Sequence, residues 1–322
     1  MMSQQKCIGI TRSVPGNPEI QGVCVKTLGE KKATREELCS FVSGLSALVT
    51  MYTDPVDDKL LDAAGDQLKI VCNFAVGFDN IDISACKKRG IIVCNTPDAV
   101  TEGTANLAWL LVSSCARRLI EADRYARSNT YPENEHLGMS DFLGMDLCNK
   151  VIHIVGAGRI GYATALRAKA FGMRVIYTAR KRHLDFEMTP LGATRVSLDD
   201  GLSQADVVSI HTPLTDQTFH LINRENICLM KSSAILVNTS RGPVVDEAAL
   251  AQALSDGKLW GAGLDVYENE PVIHPKLLKL DNVILTPHIG SAEIAWRHAM
   301  TEMVMTNVKA ALENQEPPNR IA

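Results

Sequence analysis

Three polar side chains in the last third of the chain have the types and positions for proton and charge chemistry. Arg241 lies in Asn238-Thr-Ser-Arg-Gly-Pro243, just after the apolar run Ala234 to Val237 and before a helix expected from about Asp246. A guanidinium at a strand end can hold a carboxylate bidentately and polarise a neighbouring carbonyl. His288 follows Thr286-Pro287 at the end of another apolar run, and imidazole is the side chain best suited to exchange a proton near neutral pH. A carboxylate beside it would favour the imidazolium and fix its tautomer. Glu268 and Glu270, in Tyr267-Glu-Asn-Glu-Pro271, both qualify, and spacing does not choose between them. Each group taken singly also fits an ordinary structural role: an ion pair, a backbone-satisfied histidine, a solvated turn.

A second constellation, Val151-Ile-His-Ile-Val-Gly-Ala-Gly-Arg-Ile-Gly161, is an apolar strand running into a glycine-rich turn and then a helix expected to about Phe171. Gly156 permits the tight turn, Gly158 lets the backbone approach a pyrophosphate, and Gly161 allows the helix to pack closely on the strand. The helix N-terminus offers N–H groups to the phosphates. This reads as a dinucleotide-binding βα unit. The next strand, Arg174 to Thr178, should end in an acid if it is to hold the ribose hydroxyls of NAD. Instead it continues Ala179-Arg180-Lys181-Arg182, a small residue and three cations suited to the extra phosphate of NADP. NADPH is therefore expected over NADH, with NAD possible.

The elements that must position these residues form two α/β alternations. The first holds strands expected at Cys7 to Ile10, Gly22 to Val25, Ala47 to Thr50, Lys69 to Cys72 and Ile91 to Cys94, with helices near Arg35 to Val42 and Ile83 to Gly90. Such alternation implies a parallel sheet with helices on both faces. From about Thr101 a long helix is expected, with Ala105, Ala108, Trp109, Val112, Cys115, Ala116 and Leu119 spaced as one buried stripe. A polar linker from Ser128 to Gly144 comes after it. The second alternation opens at Val151, and its later strands are expected at Asp206 to Ile210, Ala234 to Val237, Gly261 to Val266 and Asn282 to Leu285. A last helix, about Glu293 to Leu312, carries apolar pairs and is expected to return to the first domain. The fold class is thus α/β with two doubly wound parallel-sheet domains. Residues 1–100 begin the first domain, 101–291 form the dinucleotide-binding domain, and 292–322 return to the first.

Composition narrows the function classes. A net charge of −4 over 322 residues gives no electrostatic footprint for nucleic acid, and 46% hydrophobic residues is ordinary for a globular protein. No apolar run is long enough to span a membrane, and the first residues lack the apolar core of a signal peptide. The nine cysteines are scattered singly with no CxxC pair, which suits reduced thiols in a cytoplasmic protein and gives no metal site.

Taken together, Gly156 to Gly161, His211-Thr-Pro-Leu-Thr215, Asn238 to Glu247, Gly261-Ala-Gly-Leu-Asp-Val266, Glu270-Pro271 and Thr286-Pro-His-Ile-Gly290 resemble the D-isomer-specific 2-hydroxyacid dehydrogenases. Asn73-Phe-Ala-Val-Gly-Phe-Asp-Asn-Ile-Asp82 is similar to that family's substrate-domain motif. The resemblance implies a Rossmann cofactor domain inserted into a flavodoxin-like substrate domain. It implies a catalytic Arg241, Glu270 and His288, which resolves the choice between the two glutamates. It also implies that Val76 and Gly77 bind the substrate carboxylate through backbone N–H groups, with Arg241 and Arg297 nearby. For the cofactor it implies Thr104, Gly156, Gly158, Arg159, Ile160, Gly161, Ala179, Arg180, Arg182, His211, Thr212, Pro213, Thr239, Asp265, His288 and Gly290. The Ala179-Arg180 pair is similar to the NADP-preferring glyoxylate and hydroxypyruvate reductases within the family. A homodimer built on the cofactor domains is implied as well. Glu293 stands where a threonine is usual, and the linker lacks a tryptophan that some hydroxypyruvate reductases carry, which leaves the 2-oxo acid open. Some relatives act instead as corepressors whose partner binding responds to dinucleotide. The absence of long extensions or low-complexity tails favours the enzyme.

Overall fold

The computed structural model describes residues 6–133 and 137–322. The first alternation runs β1 (Cys7–Ile10), β2 (Cys24–Thr27), α1 (Arg35–Phe41), β3 (Ala47–Thr50), α2 (Asp58–Ala64), β4 (Ile70–Asn73), α3 (Ile83–Lys88) and β5 (Ile92–Cys94). Then come α4 (Thr101–Ala116), α5 (Leu119–Ala126) and α6 (Thr130–Glu133). The second alternation runs β6 (Val151–Val155), α7 (Arg159–Ala170), β7 (Arg174–Thr178), α8 (Leu184–Glu187), β8 (Thr194–Arg195), α9 (Leu198–Gln204), β9 (Val207–Ile210), α10 (Arg224–Leu229), β10 (Ile235–Asn238), α11 (Glu247–Ser255), β11 (Gly261–Leu264) and β12 (Val283–Leu285). The last helix is α12 (Ile294–Leu312). The described residues up to Val100, with Ser291–Ala322, cluster as one unit, and Thr101–Gly290 form a second.

Every residue of β1, β3, β4, β6, β9, β10 and β11 is buried, the pattern of strands covered on both faces. In the first unit the strands pair in parallel in the order β2-β1-β3-β4-β5, a flavodoxin-like order, and α12 packs on β3, β4 and β5. Its core joins Leu38, Leu48, Leu60, Val71, Cys86 and Val93. In the second unit all seven strands are parallel in the order β12-β11-β10-β9-β6-β7-β8, the Rossmann order with one further strand. One face is sealed by Leu202, Val208, Leu236, Leu250 and Leu254, the other by Leu111, Val112, Ile154, Val175, Tyr177 and Phe186. Side chains of Thr34, Asp57, Asp82, Ser197, Asn223 and Asp246 cap the helices that begin just after them, which fixes where each chain segment leaves its strand.

Some expectations shift. β2 begins at Cys24, because Gly22 adopts φ 77° and Val23 donates to Ile20 O, making a turn of the expected strand start. The expected stripe loses Leu119: the helix stops at Ala116, Arg118 turns left-handed at φ 51°, and Leu119 starts α5 at 50% exposure. The linker contains the single turn α6, and its residues 134–136 lie outside the described residues. All nine cysteines are free thiols. Among the described residues no helix is long and apolar enough to cross a membrane, and no cluster of side chains could hold a metal ion.

Candidate active site

Because the seven strands of the second sheet run parallel, the segments leaving their C-terminal ends lie at one end of it. Strand order reverses between β6 and β9, the switch point at which doubly wound sheets take ligands. The glycine turn comes directly after β6 and His211-Thr212-Pro213 directly after β9, so the two segments flank that point. They touch: a Cβ on Gly156 would lie 2.7 Å from the His211 carbonyl, and Gly156 itself sits at φ 106°. A Cβ on Gly161 would lie 2.3 Å from Gly156 O, so the helix can approach the strand only as glycine. A Cβ on Gly158 would meet nothing within 4 Å, and no side chain caps the helix there, so its N-terminal N–H groups face open space next to Arg159 and Ile160. Two hydroxyls at neighbouring strand ends, Thr212 Oγ1 and Thr239 Oγ1, are buried without a partner among the described residues. A cradle with room for a ligand and orphaned donors around it fits a dinucleotide.

Farther along the same sheet end, the protein's own bonds hold the polar groups. His288 Nδ1 lies 2.9 Å from Glu270 Oε2, and His288 adopts φ 55°. That turn is fastened by Asp265, which is 1% exposed: Oδ1 accepts from Thr286 Oγ1 (2.7 Å) and Ile289 N (2.8 Å), and Oδ2 accepts from Gly290 N (2.8 Å). Burial pushes the Asp265 carboxyl above the usual range, opposed by those donors and by the nearby His288. Thr104, buried on α4, flanks the turn, since a Cβ on Gly290 would meet both Thr104 and Asp265 at 3.3 Å. Glu270 Oε1 accepts from Tyr267 N (3.1 Å), and the Tyr267 hydroxyl donates to Thr286 O (2.8 Å), tying the Glu270 and His288 loops together. Burial drives that phenol well above its ordinary pKa.

Arg241 comes from the next strand end. Asn238, buried at the end of β10, donates to Arg241 O (2.9 Å) and accepts from Ser240, while Arg241 Nη1 donates to Ser240 O (2.8 Å). Its neighbour Gly242 has no room for a side chain: a Cβ would lie 1.9 Å from the Tyr267 carbonyl carbon. The Arg241 loop therefore rests directly on the loop that carries Glu270. Glu268 faces elsewhere, with Oε1 on His220 Nε2 (3.1 Å) and on Glu247 N (2.7 Å).

The structure thus brings Arg241, Glu270, His288, Asp265, Thr104 and Gly290 into one region of the second unit. Ala179, Arg180 and Arg182 come after β7, on the other side of the glycine turn. Val76, Gly77 and Arg297 belong to the first unit. There Asn73 donates to Gly77 O (2.7 Å) and Asn95 to Val76 O (2.8 Å), and the N–H groups of Val76 and Gly77 donate to nothing among the described residues. Burial lowers the Arg297 guanidinium from its ordinary pKa. Residue types and spacing did not point to Tyr267, Asn238, Gly242, or the Asn73–Asn80 bond (3.0 Å) that closes the Val76 loop. The only trace of these in the sequence is polar or glycine residues directly beside the expected site.

A profile described as "D-isomer specific 2-hydroxyacid dehydrogenase, NAD binding domain" matches residues 109–290. The chain belongs to the D-isomer-specific 2-hydroxyacid dehydrogenases. It is 48% identical over 295 residues to a glyoxylate reductase of Thermococcus onnurineus, covering 91% of this chain and 87% of that one. Among solved structures, a protein from Thermus thermophilus superposes with a TM-score of 0.92 at 40% identity, covering 98% of this chain and all of the other. An NADPH-dependent glyoxylate/hydroxypyruvate reductase from Sinorhizobium meliloti, solved with NADP and malonate, gives a TM-score of 0.84 at 31% identity over 99% of this chain and 97% of its own. As a 2-hydroxyacid dehydrogenase, the protein is an oxidoreductase that uses a nicotinamide dinucleotide.

Proposed function

We propose that this dehydrogenase reduces a small 2-oxo acid, glyoxylate or hydroxypyruvate, with NADPH. The observation that carries the chemistry is the His288–Glu270 pair, at 2.9 Å, in a turn fastened by Asp265. When bound, the reduced nicotinamide supplies the hydride. Arg241 stabilises the negative charge that develops on the carbonyl oxygen, and His288, protonated and oriented by Glu270 on Nδ1, delivers a proton from Nε2. For the substrate carboxylate the groups we propose are Arg241 in the second unit and, in the first unit, Arg297 and the N–H groups of Val76 and Gly77. Thr104, Asp265 and Gly290 line the nicotinamide end, and Thr239 and the His211 to Pro213 segment line the middle of the dinucleotide. Arg159, Ile160 and the three glycines receive its phosphates.

The segment just beyond β7 supports the NADPH preference. No carboxylate ends that strand, Arg182 Nε is held by Glu187 (2.5 Å), and the side chains of Arg180 and Lys181 have no partner among the described residues. The relatives named glyoxylate reductase support the substrate. The test is an oxidation assay with NADPH and NADH against a panel of glyoxylate, hydroxypyruvate, pyruvate, bulkier 2-oxo acids and sugar acids. Turnover is expected to be fastest with NADPH and one of the first two. Equal kcat/KM for the two cofactors overturns the preference, and a faster larger acid overturns the substrate. We further propose a homodimer in which exposed Leu119, Ile120, Tyr131 and Leu143 of the second unit are covered, to be read from the mass in solution.

A further inference from the structure

The residues after β7 contain a device that their sequence does not reveal. Arg195, on the two-residue strand β8, pairs in register with Tyr177 of β7 and reaches across to the turn beyond it. Its Nε and Nη2 donate to Ala179 O (3.2 and 2.8 Å), and Nη2 donates also to Arg180 O (3.1 Å). One planar guanidinium fork thus grips two successive carbonyls, which an ammonium does less rigidly. Both peptides are trans, so each C=O points opposite to the N–H of the residue after it. Turning the oxygens of Ala179 and Arg180 towards Arg195 turns the N–H groups of Arg180 and Lys181 away from it. Those two N–H groups have no acceptor among the described residues.

The charges around the turn point the same way. Arg180, Lys181, Arg182 and Arg195 all stand here, and the ion pair of Arg182 with Glu187 uses only one of them. Glu187 also accepts from the Tyr177 hydroxyl (2.8 Å), which anchors that carboxylate to β7. Two consecutive outward N–H groups beside unpaired cations make a concavity for an anion, because backbone carbonyls that would repel it are occupied on the far side.

We propose that Arg195 is a positioning residue for cofactor selection: it holds the carbonyls of Ala179 and Arg180 so that the N–H groups of Arg180 and Lys181 receive the 2′-phosphate of the dinucleotide. This rests on the NADPH reading above, and it adds a residue that never touches the phosphate. Arg195→Met removes the fork, and Arg195→Lys retains a cation able to donate to a carbonyl. The measurements are KM and kcat with NADPH and with NADH, the Kd for adenosine 2′,5′-bisphosphate, and Tm, on the full-length enzyme. Loss of charge-assisted bonds predicts for Arg195→Met a rise of about tenfold in KM for NADPH and in the Kd of the bisphosphate, with NADH less affected and the loss in KM rather than kcat. Arg195→Lys is expected to recover part of the loss. If Arg195→Met weakens NADPH and NADH equally, or leaves the parent's NADPH preference intact, Arg195 has no such role. If the parent itself shows no preference between the cofactors, the NADPH reading fails first and this role falls with it.

Discussion

The turn after β7 and the turn after β12 both lie at the same end of one parallel sheet, yet they are built in opposite ways. Around His288 the protein itself bonds the polar groups: buried Asp265 accepts from Thr286, Ile289 and Gly290, and Glu270 pairs with His288. Around Arg180 the carbonyls are tied from behind by Arg195, while the N–H groups and side-chain cations of Arg180 and Lys181 have no partner among the described residues. A group that must deliver a proton along one direction needs its geometry set before the substrate arrives, because misplacement removes the benefit of proximity. A group that chooses between two cofactors needs only unfilled bonding capacity that one of them can complete. Under the proposed function, the His288 turn, the catalytic one, is therefore the rigid half of the site, and the Arg180 turn, the selecting one, is the half that a ligand finishes.

The largest effect should come from the rigid half. His288→Gln keeps an amide near Glu270 but cannot deliver the proton, and kcat should fall by about 10²-fold or more, the usual worth of a general acid. A parent-like kcat in steady-state and single-turnover assays would take His288 out of the mechanism. Next is Gly242→Ala, which asks whether rigidity depends on the close rest of the Arg241 loop on Tyr267. With a Cβ 1.9 Å from the Tyr267 carbonyl carbon, backbone has to move, and overpacking of this kind costs roughly 1–3 kcal/mol. Both the denaturation midpoint and kcat should drop, and an unchanged pair of values would mean that the two loops are independent. On the open half, Arg180→Ser should weaken NADPH by about tenfold in KM through loss of one charge-assisted contact, with little change in kcat. A fall in kcat with both cofactors instead would show that the two turns are not separable.

The same contrast explains what could be read in the sequence. The glycine turn was legible because each glycine has a backbone reason that does not depend on distant residues: a left-handed φ at Gly156, open space at Gly158, a packed helix at Gly161. Arg241 and His288 could be placed at strand ends because the apolar runs before them form strands in the fold, Ile235–Asn238 and Val283–Leu285. The partner of His288 was not, because Glu268 and Glu270 are two residues apart and both pair with a histidine, Glu268 with His220 and Glu270 with His288. Only the path of the loop assigns them, and the resemblance supplied what spacing could not. Arg195 was invisible for a different reason. A strand of two residues carries no periodicity, and its partners are backbone oxygens sixteen and fifteen positions away. Leu119 was misplaced because a left-handed Arg118 interrupts a pattern that periodicity would continue.

The smallest effect concerns how the selecting turn is supported from beneath. His153, fully buried in β6, places Nε2 2.8 Å from Thr178 Oγ1, and Thr178 in turn donates to Val196 O (3.1 Å). Its Nδ1 is buried with no partner among the described residues, and the ring lies against Gly201, where a Cβ would meet it at 2.3 Å. A second proton has nowhere to bond, and burial pushes the imidazole from 6.5 down to about 4. The sign comes from linkage: between these values the unfolded chain binds a proton that the folded chain refuses, so the folded state loses stability as pH falls from about 6.5 towards 4. One such proton contributes a slope of at most about 1.4 kcal/mol per pH unit. His153→Gln removes the titrating group and keeps an amide that can reach Thr178, so its stability should fall less steeply over that window, by up to one proton's worth. An identical slope in parent and variant would show that the acid sensitivity arises elsewhere. An altered NADPH KM in His153→Gln at neutral pH, with kcat retained, would extend the support of the selecting turn from Arg195 down into the sheet.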